Sequence, residues 1–395
     1  MLKWFLSSTV REATAMHNHV QKLLAHQRDI LSPQALAAVE QSLLELKNGL
    51  KDGDKATLQS RMQDLEKVAV KWVKPYPNAA WRENFEVLLV ALAVAMGIRT
   101  FFLQPFKIPT GSMQPTLYGV NSDNLLNQKD FKIPTGWDRV KEWFAGASYV
   151  HLVADEDGIL QNISEPTKIL IFNLKQTVWL SGRAYTIWFP PDYGAYGLAR
   201  RAELEPGKAF KKGDDIVKLR VNAGDHLFVD RFTYNFRPPT RGEIVVFETR
   251  GIDRLPQDQF YIKRLVGLGG DEIRIGDDRH LLINGKRLDA STPHFERVYS
   301  FDPAKPPRDS QYSGHVNEKV AEPFHPGWQG ALAPNFPDSA TTYKIDPGYL
   351  RVMGDNTMNS FDSRGWGEFS STNVIGKSWF VYWPISDRFG WGYHR

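Results

Sequence analysis

The chemistry this sequence offers rests on two residues far apart in the chain, a serine framed by glycine and prolines and a lysine set among apolar neighbours. Ser112 stands in Ile108-Pro109-Thr110-Gly111-Ser112-Met113-Gln114-Pro115-Thr116. A nucleophilic hydroxyl must be held at a fixed angle with room beside it for a carbonyl; Gly111 permits close backbone approach and the prolines stiffen both flanks. Thr110 sets a second hydroxyl two residues earlier, where it can join the Ser112 amide in an oxyanion hole. The same stretch fits a proline-bracketed Ser/Thr turn equally well. Lys263 lies in Phe260-Tyr261-Ile262-Lys263-Arg264-Leu265-Val266, whose alternation reads as a strand with Tyr261, Lys263 and Leu265 on one face. Burial among apolar groups disfavours the ammonium form and lowers its pKa, and a neutral amine can take a proton from a serine. A solvent-facing lysine guarding a strand edge is the commoner occupant of such a position.

Other chemistries find less support. Ten histidines are present without an HExxH or comparable ligand pair, and no GxSxG elbow occurs, so neither a metal site nor a cofactor is expected. The absence of cysteine rules out disulfides and thiolate chemistry. Lys plus Arg number 49 against 45 Asp plus Glu, with no block of like charge that would serve nucleic acid. Gly354-Asp355-Asn356, followed by Ser360, Asp362, Ser363 and Arg364, reads as a capped loop with an Asp/Arg pair.

The elements that must position these residues fall into three stretches. Residues 1–84 are expected to be helical: Ser32-Pro33 is a helix start, and Leu36, Val39, Leu43, Leu46 and Leu50 recur at spacings of three and four. That helix should end near Gly53, and Leu58, Met62 and Leu65 continue the pattern, which predicts a helical hairpin or short coiled coil. The opening MLKWFLSS lacks the long apolar run and cleavage site of a secretory leader. After Pro75 and Pro77, residues 85–103 form the most apolar stretch, read as one transmembrane helix. Only Val87 to Ile98 is uncharged, fewer than the roughly 18–20 residues of a full crossing, so a buried core helix competes with a span. Glu86 and Arg99 near the ends and the flanking Trp81, Phe101 and Phe102 favour the span. Lys67, Lys71, Lys74 and Arg82 precede it and only Lys107 follows closely, which predicts a cytoplasmic N-terminus. Residues 104–395 are expected to be an antiparallel β domain, with strands near 226–229, 243–248, 261–266, 272–275, 281–283, 350–353 and 378–383 and a tight hairpin at Asn284-Gly285. Residues of about 120–220 and 290–345 read as insertions, the second mainly loop.

Taken in order, the apolar segment, PTGSMQPTL, GDHLFVDRF with RGEIVVF, YIKRLVGLGGDEI and GDNTMNSFDSRGWG resemble the five sequence boxes of type I signal peptidases. The resemblance implies a mainly β fold and a Ser/Lys serine protease that cleaves signal peptides from exported preproteins at the outer face of the bacterial cytoplasmic membrane. It implies Ser112 as nucleophile, Lys263 as general base, Thr110 with Ser112 at the oxyanion, Ser360 orienting the lysine, and Asp362 with Arg364 as a supporting ion pair. It further implies that Met113, Tyr261 and Ile262 line a small pocket, and that substrate adds as a strand between the segments near Ile108 and Tyr261. Partners would be signal peptides and the lipid bilayer, with the secretion translocon a further candidate. This chain departs from the usual pattern at Thr357 and Met358, where Arg and Asp are common, and in Gly-Leu-Gly-Gly at 267–270. The competing readings are a β domain that binds exported chains without cutting them and a self-cleaving repressor with similar Ser/Lys chemistry.

Overall fold

A computed structural model describes residues 7–52, 54–73, 78–128, 130–170, 172–301, 314–324 and 330–391. Gly53, Lys74, Pro75, Pro77 and the first six residues, invoked above, lie outside the described residues, as do 302–313 in the second insertion. The chain divides into two compact units, 1–93 and 94–395.

The first unit holds three amphipathic helices, α1 (Ser8–Gln27), α2 (Pro33–Asp52) and α3 (Lys55–Trp72), where a hairpin of two was expected. The α2 start is the expected one, with Ser32 Oγ accepting from the Ala35 amide at 3.2 Å. Its Val39, Leu43 and Leu46 pack with Leu58 and Leu65 of α3. Helix α1 escapes an apolar-periodicity reading because its buried residues are Thr9, Ala13, Val20, Leu24 and Gln27, a stripe too small and polar to register.

Helix α4 (Ala79–Phe101) follows, and its stretch Trp81–Phe101 is long and apolar enough to cross a membrane, with its side chains exposed. The helix ends two residues earlier than expected because Leu103 already belongs to a strand, β1 (Leu103–Lys107).

The second unit is built on a seven-stranded antiparallel sheet in the order β1-β10-β19-β11-β12-β17-β18. Its strands are β10 (His226–Asp230), β11 (Ile244–Glu248), β12 (Phe260–Leu268), β17 (Tyr349–Met353), β18 (Phe369–Ser370) and β19 (Val374–Trp383). The period-2 pattern buries both faces. Ile244 and Val246 join Ile108, Met113, Leu117, Leu227 and Val229 on one face, while Val245 and Phe247 join Leu265, Val352 and Phe369 on the other. Phe106 meets Phe260 edge-on with ring centroids 5.5 Å apart, so the start of β12 curls round toward β1.

Three smaller sheets are added to this one. In a four-stranded sheet, β13 (Glu272–Ile275) and β14 (Leu281–Ile283) lie between β15 (Lys286–Arg287) and β16 (Thr342–Lys344). Its β14–β15 turn is Asn284-Gly285, both at positive φ (51° and 78°), the geometry that makes this dipeptide a hairpin signal. The first insertion is a β module with its own core. There β9 (Asp215–Asn222) pairs β2 (Asn121–Asn124) and β3 (Ala147–Val153). A further sheet holds β4 (Gly158–Ile163), β5 (Thr167–Ile169), β6 (Phe172–Leu180), β7 (Arg183–Trp188) and β8 (Ala209–Phe210). Val150, Leu160, Val178, Leu180, Val217 and Leu219 are buried between these strands.

Candidate active site

Ser112 sits in a single 3-10 turn (Gly111–Met113) that begins four residues after β1. Two anchors hold the approach to it. The Ile108 amide donates to the Asp225 carbonyl at 2.9 Å, and Met113 is wholly buried in the apolar cluster beneath β10 and β11. From the other side Asn356 clamps the turn, its amide donating to the Ser112 carbonyl at 3.1 Å and its Nδ2 to the Gly111 carbonyl at 3.0 Å. This close approach needs Gly354, since a Cβ there would collide with both the Ser112 carbonyl and Ser360 Oγ.

Strand β12 delivers the second group. Its register sets Lys263 opposite Val245 and Tyr261 opposite Phe247, so the lysine stem shares the apolar face that alternation predicts. Lys263 Nζ reaches Ser112 Oγ at 2.6 Å, and both residues are buried. Burial pushes the Lys263 amine down to about 8, with Asp362 and Asp355 opposing the shift and Arg364 adding to it. Desolvation is the largest of these causes. At that value a sizeable fraction of the amine is neutral near pH 8, and a neutral amine in contact with a serine hydroxyl is able to accept its proton.

Two buried ion pairs flank this contact. Asp362 and Arg364 are both fully enclosed, joined through Arg364 Nε to Asp362 Oδ1 and Arg364 Nη2 to Asp362 Oδ2, each 2.9 Å. Burial alone would raise the Asp362 carboxyl, but the Arg364 guanidinium, together with the Gly354 amide and the Ser360 hydroxyl, outweighs it and holds the group below its ordinary value. Arg264 grips Asp355 in the same two-pronged manner at 2.7 and 2.6 Å, and Thr116 Oγ1 also donates to Asp355. Arg264, Asp355, Asn356 and Thr116 escape sequence reasoning because charged and amide groups in strands and turns read as solvated. The available signal is Arg264 alternating with Ile262 and Val266 on one strand face, which places a guanidinium where only a paired one is tolerated.

The other expected site residues divide. Ile108, Met113 and Ile262 share one apolar cluster, whereas Tyr261 lies on the opposite face of β12, its ring 5.9 Å from Lys263 Nζ. Thr110 precedes the 3-10 turn, exposed, and its side chain makes no capping hydrogen bond. Ser360 departs from expectation: its hydroxyl is buried against Gly354 and forms no hydrogen bond of ordinary geometry with Lys263, whose amine is directed to Ser112.

Thr357 and Met358 acquire a structural meaning. Thr357 Oγ1 accepts from the Val316 amide at 3.0 Å and from Arg364 Nη1 at 2.7 Å. Met358 packs with Val316, Ala321 and Leu332. The Asn335 amide donates to the Arg364 carbonyl at 3.1 Å. The second insertion is therefore built into the loop that carries Asn356 and the Asp362–Arg364 pair.

The family model described as signal peptidase, peptidase S26, matches residues 81–140 and 217–383, more than half of the chain. A Synechocystis protein named "Probable signal peptidase I-2" is 30% identical over 170 residues, covering 42% of this chain and 58% of that one. Signal peptidase I of Leptolyngbya laminosa is 29% identical over 173 residues, 42% of this chain and 64% of that one. Signal peptidase I of Pseudomonas fluorescens is 28% identical over 252 residues, 56% of this chain and 80% of that one. The chain thus spans under two thirds of the length of the first two relatives. The family match leaves out residues 141–216, most of the first insertion, and the three N-terminal helices.

Proposed function

The chain belongs to the signal peptidase family, peptidase S26, and from that premise we propose that it is a membrane-anchored serine endopeptidase that removes N-terminal signal peptides from exported preproteins. The observation that carries the reading is the 2.6 Å contact between Ser112 Oγ and a buried Lys263 amine whose pKa is depressed to about 8.

In this mechanism the neutral Lys263 accepts the Ser112 proton as Oγ attacks the scissile carbonyl. The oxyanion that forms faces the Ser112 amide, with the Thr110 hydroxyl as second donor. Lys263, now an ammonium, returns the proton to the leaving amine. The acyl-serine is hydrolysed by a water that Lys263 deprotonates in turn. Asn356 keeps the nucleophile turn in place, and the Asp362–Arg364 pair holds the loop that carries it. Ser360 acts through that loop in this arrangement.

Residues 260–263 pair with β11 on one side, while the ladder to β17 begins only at Arg264. An extended peptide laid against this free edge, with Ile108–Thr110 on its other side, would bring its carbonyl to Ser112 through main-chain hydrogen bonds. In this reading Met113, Tyr261 and Ile262 shape a site for a small side chain before the cut; a large one would hold the carbonyl away from Ser112.

The span in this reading is Trp81–Phe101, with the N-terminal helices in the cytoplasm and the β domain on the outer face of a bacterial inner membrane. Ser112 follows Phe101 by eleven residues, at most about 36 Å at roughly 3.3 Å each, so the nucleophile works near the bilayer surface. The test is incubation of the detergent-solubilised protein with a preprotein, the cut located by mass spectrometry. Ser112→Ala and Lys263→Ala should each abolish processing while circular dichroism stays unchanged. Processing retained in either variant, or recovery of the protein in the soluble fraction without detergent, would count against the proposal.

A further inference from the structure

The first insertion carries an exposed apolar tip. The sequence linking β5 to β6 reads Lys168-Ile169-Leu170-Ile171-Phe172, four consecutive apolar residues where a solvated turn carries polar ones. Ile171 lies outside the described residues; Ile169, Leu170 and Phe172 are exposed, Leu170 at 91%. Beside them, at the end of β7, Trp188 and Phe189 are exposed as well, with the Phe189 amide donating to the Leu174 carbonyl at 2.9 Å. Leu170 and Phe189 both hold positive φ (54° and 50°), a conformation that bulky residues adopt at a cost and that here turns their side chains outward. From Pro166 to Pro191 the sequence contains no Asp or Glu, and Lys168 and Lys175 lie near the apolar turn. The root of this hairpin is tied close to the membrane helix: Asp192 forms an ion pair with Lys107, which follows Phe101 by six residues. Six extended residues span at most about 20 Å, and Phe189 is only three residues from Asp192.

We propose that the tip formed by Ile169, Leu170, Phe172, Trp188 and Phe189 docks into the outer leaflet of the bilayer that α4 crosses, its apolar side chains entering the interface and its lysines meeting anionic headgroups. This rests on the reading of α4 as a span. The hairpin lies in the stretch left unmatched by the family, so it gives this chain a second membrane contact and fixes the orientation of the insertion beside the nucleophile. A free apolar turn of this size would otherwise stand in water next to a lipid surface that accommodates it.

The absence of cysteine makes site-specific labelling direct. Full-length Leu170→Cys, Ser181→Cys and Val90→Cys proteins, each carrying an environment-sensitive fluorophore, are reconstituted in phosphatidylethanolamine/phosphatidylglycerol vesicles with nitroxide-labelled lipids. Ser181 marks the opposite end of the β6–β7 hairpin, and Val90 the middle of α4. The expected result is at least twofold stronger quenching at position 170 than at 181 by a shallow nitroxide, weakened when phosphatidylcholine replaces the anionic lipid. Equal quenching at 170 and 181 overturns the docking even when position 90 is quenched by a deep nitroxide, which leaves the span standing. Loss of quenching at 90 overturns the span itself and the docking with it. A blue shift at 170 that appears only on addition of preprotein, without lipid quenching, assigns the tip to the preprotein and also overturns the proposal.

Discussion

Replacing Lys263 by methionine removes the amine and keeps a chain of similar length, and the structure sets opposite expectations for activity and stability. The folded-state pKa is lowered from 10.5 to about 8 by burial. At about 1.4 kcal/mol per unit, enclosing the ammonium costs the folded protein about 3 kcal/mol at neutral pH. The sign follows from proton uptake: between pH 8 and 10.5 the unfolded chain holds a proton that the folded chain has released, so wild-type stability rises with pH across that window. It is complete above 10.5 and is lost as pH falls through 8. Methionine removes this dependence and forfeits the Ser112 hydrogen bond, about 1 kcal/mol. Lys263→Met should therefore be inactive yet about 2 kcal/mol more stable than wild type at pH 7, a difference that vanishes and reverses toward pH 10.5. Thermal melts of the solubilised proteins between pH 6.5 and 10.5 check this, with a gap on the order of 5 °C at the acid end. Wild-type kcat/KM should rise about tenfold per pH unit below 8 and level off above it. A melting difference independent of pH, or a wild type that is the more stable at pH 7, would refute the claim that burial keeps the amine poised as a base.

Arg264→Met strands Asp355 in the core and should destabilise the β domain by about 3–5 kcal/mol in urea titrations, most of it recovered when Asp355→Leu is added. Thr357→Val removes the acceptor shared by the Val316 amide and Arg364; a cost of about 1–3 kcal/mol and faster hydrogen exchange at Val316 are expected, and unchanged exchange there would argue against the buttress. Asn356→Ala releases the Gly111 carbonyl and should lower kcat on the order of tenfold to a hundredfold with KM little changed, measured on a signal-peptide substrate. Burial, reinforced by Arg364, pushes His315 down to about 3. Its contribution is therefore present above pH 6.5 and lost as pH falls toward 3, and His315→Phe should flatten the decline in melting temperature between pH 7 and 4.

What the sequence determined by itself is the local part of this protein. Period-2 alternation over 261–266, the Asn284-Gly285 turn, the apolar stretch ending in α4 and the Ser32-Pro33 helix start follow from side-chain spacing and backbone preference, which act within a few residues. The order of the boxes likewise carries the family resemblance in the sequence alone. The β module within 120–220 is less legible in the sequence, because its strands are short and, β9 apart, set exposed and polar residues among the buried ones. The separation of α1 as a third helix within the expected helical stretch is not legible in the sequence because its stripe relies on Ala13, Thr9 and Gln27. Tertiary structure alone decided the rest: that Lys263, 151 residues from Ser112, closes to 2.6 Å, that Arg264 and Asp355 neutralise each other in the core, and that the 316–336 segment locks onto Thr357 and Met358. Such contacts depend on strand pairing and register across the whole sheet, and burial, which sets the pKa of the lysine, exists only once that sheet has closed.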